Sequence, residues 1–180
     1  MPHLGHQSDQ IVFRRAFFIK LGEGGEWEAD SLKRNIMRIG WVENSLTDIN
    51  SGNWATIEQQ LRIARLHRRT ATRDVNALQK IVNSTDEDVW ITFHGSRLWW
   101  CRLASTPVEA DEISKFRRVV GCWSDRDLLG RILSLSDIPG SISQVQGFRG
   151  TVCDVHEVER LRRLLNAQPS APYHAVTHAR

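Results

Sequence analysis

The stretch DVWITFHGSRLWWCRLA, from Asp88 to Ala104, decides the fold. Its β-branched and aromatic residues fall into two runs. His94-Gly95-Ser96 separates them with a tight turn, which is the pattern of a β-hairpin. Side chains alternate faces along a strand, so the adjacent Trp99 and Trp100 point opposite ways, one inward and one outward. Trp90 and the inward partner are expected to pack in a core.

Working outward toward the start of the chain, IVFRRAFFIKL (Ile11 to Leu21) reads as a first strand, and GEGGE (Gly22 to Glu26) breaks it with a loop. EADSLKRNI (Glu28 to Ile36) reads as a short helix. MRIGWVE follows, with Gly40 giving the chain room to turn. Residues 51–54 read as a further loop. WATIEQQLRIARLHRR places Ile57, Leu61, Ala64 and the nearby Ile63 and Leu66 at helical spacing and leaves Arg62, Arg65, Arg68 and Arg69 on a basic face. TRDVNALQKIV makes a second helix with Thr72 as its N-cap.

Beyond the hairpin, FRRVVGC reads as a strand, GRILSLSDIPGS as a short strand stopped by Pro139-Gly140, and FRGTVCDV as a last strand. In DVHEVERLRRLLN, Asp154 and Glu157 have capping-box spacing. Val158, Leu161, Leu164 and Leu165 line one face of a terminal helix. The order predicts an α+β fold: a small curved or barrel-like mixed sheet flanked by helices. Residues 1–10 read as a tail, 11–166 as one folded domain, and 167–180, with two prolines, as a tail or linker.

The 180 residues are 41% apolar and 25% charged, ordinary values for a globular chain. No apolar run is long enough to cross a bilayer, and the polar first ten residues lack the centre of a signal peptide, so a cytoplasmic protein without membrane partners is expected. The net charge of +3 comes almost wholly from arginine, since the lysines are only Lys20, Lys33, Lys80 and Lys115. Arginine binds phosphate bidentately and stacks on bases, which leans toward a nucleic-acid partner.

Signs of catalysis are sparse. Metal-dependent nucleases often place a carboxylate two residues before a lysine; here those positions hold Phe18, Ser31, Leu78 and Ile113. No GxSxG elbow or GxxxxGK[ST] loop occurs. Cys101, Cys122 and Cys153 form no CxxC pair. Cys153-x-x-His156 followed by His174-x-x-x-His178 has ligand types that zinc accepts, but the favoured reading is a packed cysteine beside solvent histidines. No metal and no cofactor are expected.

Seven tryptophans stand at positions 27, 41, 54, 90, 99, 100 and 123. Trp27, Trp41, Trp54 and Trp123 lie in or beside Gly-rich or polar loops, where binding residues tend to sit. Facing indoles make a slot for a flat or cationic group, and a base stacked on an aromatic ring gains about 1–3 kcal/mol.

Two stretches carry a resemblance. FFIKLGEGGEWEADSLKRNIMRIGW (Phe17 to Trp41) resembles the opening of the YTH domain, a reader of N6-methyladenine, with Ile19-Lys20 and Gly40-Trp41 in the matching places. GCWSDRDLLGRI (Gly121 to Ile132) resembles that family's second signature. The resemblance extends in element order over roughly Ile11 to Val158, and more widely to EVE and other PUA-like domains, which read modified cytosine as well as adenine. It implies an aromatic cage of Trp41 and Trp123 with Leu128 or Leu129 near the third wall. Lys20, Gly22 and Val42 fall where the base edge and backbone are read, and Arg149, in GFRGTVCDV, where a basic residue touches phosphate. Val42 and Gly22 each stand where the family has a polar residue. Ser124 and Asp127 would cap a turn that steadies the Trp123 ring.

The function so implied is a non-catalytic reader that flips a methylated base, N6-methyladenine before modified cytosine, out of DNA and into the cage. Arg62, Arg65 and Arg69 would follow the phosphates. Such modules are often joined to nuclease or motor partners in modification-dependent restriction. The alternatives are a reader of methylated RNA, a nuclease with dispersed carboxylates such as Asp111, Glu112, Asp125 and Asp127, or a protein-interaction module using exposed tryptophans.

Overall fold

The structure is a computed structural model and describes residues 10–169. Two sheets organise it. In the larger, strands β1 (Arg15–Ile19), β3 (Asp88–His94), β4 (Arg97–Cys101) and β7 (Val152–Asp154) run in the order β4-β3-β1-β7, with β1 and β3 parallel and the outer pairs antiparallel. The smaller is antiparallel and joins β2 (Ile36–Ile39), β6 (Lys115–Arg118) and β5 (Glu109–Ala110) in the order β2-β6-β5. Among the described residues six α-helices accompany them: α1 (Glu28–Arg34), α2 (Leu46–Ser51), α3 (Trp54–Ala64), α4 (Arg68–Asn83), α5 (Gly140–Ser143) and α6 (Val158–Leu165). The mixed α+β class is as expected, but the strands form two small sheets and no closed barrel.

Both faces of the larger sheet are covered, and this explains the unbroken apolar run of β1. Phe17 and Ile19 face one core cluster together with Trp90, Cys101 and Val152. Ala16 and Phe18 face the other with Val89, Ile91 and Leu98. The two covered faces also correct the hairpin reading. Trp99 and Trp100 do point opposite ways, but neither points into solvent: Trp99 packs on the first cluster and Trp100 on the second. The hairpin turn is Gly95-Ser96, both at positive φ (57° and 58°), a two-residue turn whose twist matches the strands.

Other boundaries move for local reasons. Helix α4 starts before Thr72, whose hydroxyl is not a cap but donates back to the Arg68 carbonyl at 3.2 Å. Helix α2 ends at Ser51, the first residue of the expected loop, and Ser45 caps its start by accepting the Asp48 N–H at 3.0 Å. Pro139-Gly140 opens α5 rather than ending a strand, and residues 130–134 contribute only isolated bridges, Arg126 to Ile132 and Arg97 to Ser134. Asp154 belongs to β7 and accepts from Lys80 at 2.6 Å, so the capping box at α6 does not form.

Two polar clusters fix the frame around the strands. Arg38 on β2 is fully buried and donates to both Asp111 carboxylate oxygens at 2.9 Å and to Asp30, which ties β2 to the turn before β6. Arg117 on β6 is also buried and donates to the Ile81 and Ala104 carbonyls, each at 2.6 Å, covering the end of α4. Asn166 closes the fold on itself: its side chain accepts the Ile11 N–H at 2.8 Å and donates to the Ile11 carbonyl at 2.9 Å. Residues 1–9 and 170–180, with most of both expected tails and the His174/His178 half of the zinc-like spacing, lie outside the described residues. No helix among the described residues is long and apolar enough to cross a membrane.

Candidate functional site

Strand β1 ends at Ile19, and the chain leaves the sheet through Lys20 into the Gly22–Gly25 loop. Strand β2 ends at Ile39 and leaves through Gly40 and Trp41. A cavity of about 550 Å³ opens between these two exits, a volume typical of ligand pockets. Lys20, Gly22, Trp41, Val42 and Arg149 all line it, so residues far apart in the sequence and named on one ground converge on one place. Trp27 lines it too. That residue belongs to the loop tryptophans noted above but not to the expected cage.

Trp41 is held in an unusual state. Its φ is +58°, in the left-handed region that bulky residues avoid at a cost of order 1–3 kcal/mol. Its carbonyl accepts from Lys115 Nζ at 2.9 Å and from the Asn44 N–H at 3.1 Å, and these contacts hold the bend. Asn44 is anchored in turn through Gln60 Oε1 at 2.7 Å. The ring is buried, yet its Nε1–H has no hydrogen-bond partner among the described residues. A buried orphan donor costs roughly 1–3 kcal/mol. Backbone strain and an unpaired donor thus meet at one residue of the cavity lining.

Trp27 stands at the start of α1 and is half-buried. Among the described residues the ring-on-ring pairs are Phe17–Trp90 and Phe18–Phe93, so neither cavity indole is covered by another aromatic ring.

Trp123 is not in this cavity, which corrects the expected cage. Its indole is buried and donates to the Ile36 carbonyl at 2.9 Å, while its backbone N–H donates to Asn35 Oδ1 at 3.1 Å. Ile36 begins β2 and Trp41 lies beyond the strand's far end; the strand alone puts about 10 Å between its ends. Trp123 therefore drops from a polar loop into the core as a satisfied packing residue. The turn after it is capped as read: Ser124 Oγ accepts the Arg126 N–H, and Asp127 Oδ1 accepts the N–H groups of Leu129 and Arg131. Burial opposes the charge on Asp127, but these bonds and the Arg131 guanidinium outweigh it and hold the carboxyl below its ordinary value. Leu128 packs on the opposite core cluster from Trp41, and Leu129 is exposed away from the cavity lining, so neither is a third wall.

The basic residues divide sharply. Lys20 is committed to the Phe148 carbonyl and braces the 148–151 segment against β1. Arg65 lines the cavity but is engaged by Glu43 and by Asp74 Oδ2 at 2.8 Å. Burial disfavours the Glu43 charge, yet Arg65 more than offsets it and keeps that carboxyl below the ordinary range. Arg62 pairs with Glu58 one turn back on α3. Arg62 and Arg65 are thus both engaged in ion pairs. Arg69 and Arg149 are exposed and have no ion pair among the described residues. Val42 is 83% exposed at the rim, a lone apolar side chain beside the opening.

Asp111, Asp125 and Asp127 each face their own arginine, Arg38, Arg97 and Arg131. Among the described residues no three His, Cys, Asp or Glu side chains group as metal ligands, and none of the seven tryptophans is exposed. No protein-family model, curated protein or solved structure matches this chain.

Proposed function

We propose that this chain is a non-catalytic nucleic-acid reader that takes one modified base, N6-methyladenine before modified cytosine, into the cavity between the ends of β1 and β2. The observation that carries the reading is Trp41: a strained indole on the cavity wall whose N–H is left without a partner. Trp27 replaces Trp123 as the second indole. A stacked base gains about 1–3 kcal/mol per ring, and the few kcal/mol needed to unstack it must come from those rings and from edge contacts. A methyl group adds at most about 0.8 kcal/mol by burial, so sharp preference needs a penalty against the unmodified base.

Arg149 stands at the mouth and is suited to a phosphate of the flipped nucleotide. DNA is preferred to RNA on the restriction analogy alone, and a nuclease or motor partner would supply cleavage. The test compares binding to oligonucleotides that carry N6-methyladenine, 5-methylcytosine, 5-hydroxymethylcytosine or no modification. One modified oligonucleotide is expected to bind tighter than its unmodified twin. Equal binding to all four contradicts the reading, as does cutting of DNA by the purified chain with magnesium or manganese.

A further inference from the structure

A second concavity, about 690 Å³, runs beside the first. One wall is helix α4, which presents Arg69, Thr72, Arg73, Asn76 and Lys80 along one stripe at helical spacing. The other wall is Phe148, strand β7 and His156.

Its charge is unbalanced. Lys80 and Asp154 neutralise each other at 2.6 Å. Arg69 and Arg73 have no carboxylate partner among the described residues, although most arginines of this chain do. Arg73 is half-buried, and its Nε is buried without a hydrogen-bond partner. Its stem lies against Gly150: a Cβ there would stand 3.1 Å from Arg73 Cδ. A guanidinium without a carboxylate partner offers its donor fork to an anion with paired oxygens.

The two concavities share a wall. Phe148 lines the groove, while Arg149, Gly150 and Thr151 line the cavity. Arg73 lies against Gly150 from the groove, and Arg149, the chain neighbour of that glycine, lines the cavity.

We propose that this groove holds the phosphodiester backbone of the strand leading to the cavity, with Arg69 and Arg73 as the phosphate contacts and Asn76 as a neutral donor. Its placement along a strand rests on the base-reading role proposed above; its test does not.

The experiment measures affinity for duplex oligonucleotides, with and without the preferred modification, across a salt series. Arg69→Gln and Arg73→Gln should each weaken both duplexes by the same factor and flatten the slope of log K against log salt by about 0.9 per arginine. Arg62→Gln, which removes an arginine paired on α3, should leave both as in wild type. Arg73→Lys should keep most of the slope while losing affinity, because it keeps the charge and loses the fork. Circular dichroism confirms folding of each variant. Wild-type slope and affinity in both groove variants overturn the proposal. So does specific competition by inorganic phosphate at matched ionic strength with no loss of duplex binding, which would mark a free-anion site. If wild type binds modified and unmodified duplexes equally but loses slope with the groove variants, the base-reading function fails and the groove stands.

Discussion

Trp27 lies directly against Gly22: a Cβ at that glycine would stand 3.1 Å from Trp27 Cδ2 and 2.5 Å from Glu26 Cγ. On the far side, a Cβ at Gly40 would stand 3.9 Å from Trp27 Cη2. Two glycines, one after each strand exit, therefore make room for one indole on the cavity wall.

Gly22 also has φ 85° and ψ 172°, a region open essentially to glycine alone. Gly22→Ala is expected to lower stability by about 1–3 kcal/mol and to displace Trp27. Urea unfolding and a tryptophan fluorescence shift in the folded state check this. Unchanged stability and emission would mean that the loop does not depend on this glycine.

Trp123 provides a contrast with the cavity indoles. Trp123→Phe removes half of the bicyclic ring and with it the donor to Ile36, so stability should fall by about 1–3 kcal/mol. Any preference among modified oligonucleotides should survive. Loss of preference in a fully folded Trp123→Phe protein would return this residue to the site.

Acid titration tests the frame beneath Trp41. The buried Arg38 guanidinium holds the Asp111 carboxyl well below its ordinary range, against the effect of burial. A carboxylate whose folded pKa is depressed contributes stability that is full above its unfolded pKa, near 3.9, and is lost as pH falls through the folded value. Asp111→Asn should therefore cost about 1–3 kcal/mol at pH 7. That gap should hold down to about pH 5 and close progressively below about pH 4. A gap that stays constant to pH 2 contradicts the ion pair's role.

The sequence made the hairpin legible because Gly95-Ser96 and its flanking runs are local signals. Lys20, Gly22, Trp41, Val42 and Arg149, named together from the sequence, line one cavity. Trp123 was misplaced because a polar loop says nothing about where a ring ends up, and Asn35 and Ile36, which receive it, lie far away in sequence. Trp27 could have been found: it follows a Gly-rich loop that needs an unusual backbone, and it precedes a helix. A basic stripe conceals its partners. Glu58 is visible at i,i+4 spacing from Arg62, but Arg65 meets Glu43, in the connection after β2, and Asp74, on α4, only in the folded chain.

The central claim is that Trp27 and Trp41, not Trp41 and Trp123, grip the modified base. The direct measurement is the ratio of affinities for matched duplexes with and without the modification, taken for wild type, Trp27→Ala, Trp41→Ala and Trp123→Phe. Losing one stacking ring worth about 1–3 kcal/mol should weaken modified-duplex binding roughly 5- to 150-fold and bring the ratio toward one in both Trp27→Ala and Trp41→Ala. Trp123→Phe should keep the wild-type ratio. Folded Trp27→Ala and Trp41→Ala proteins that discriminate as wild type does would contradict the account.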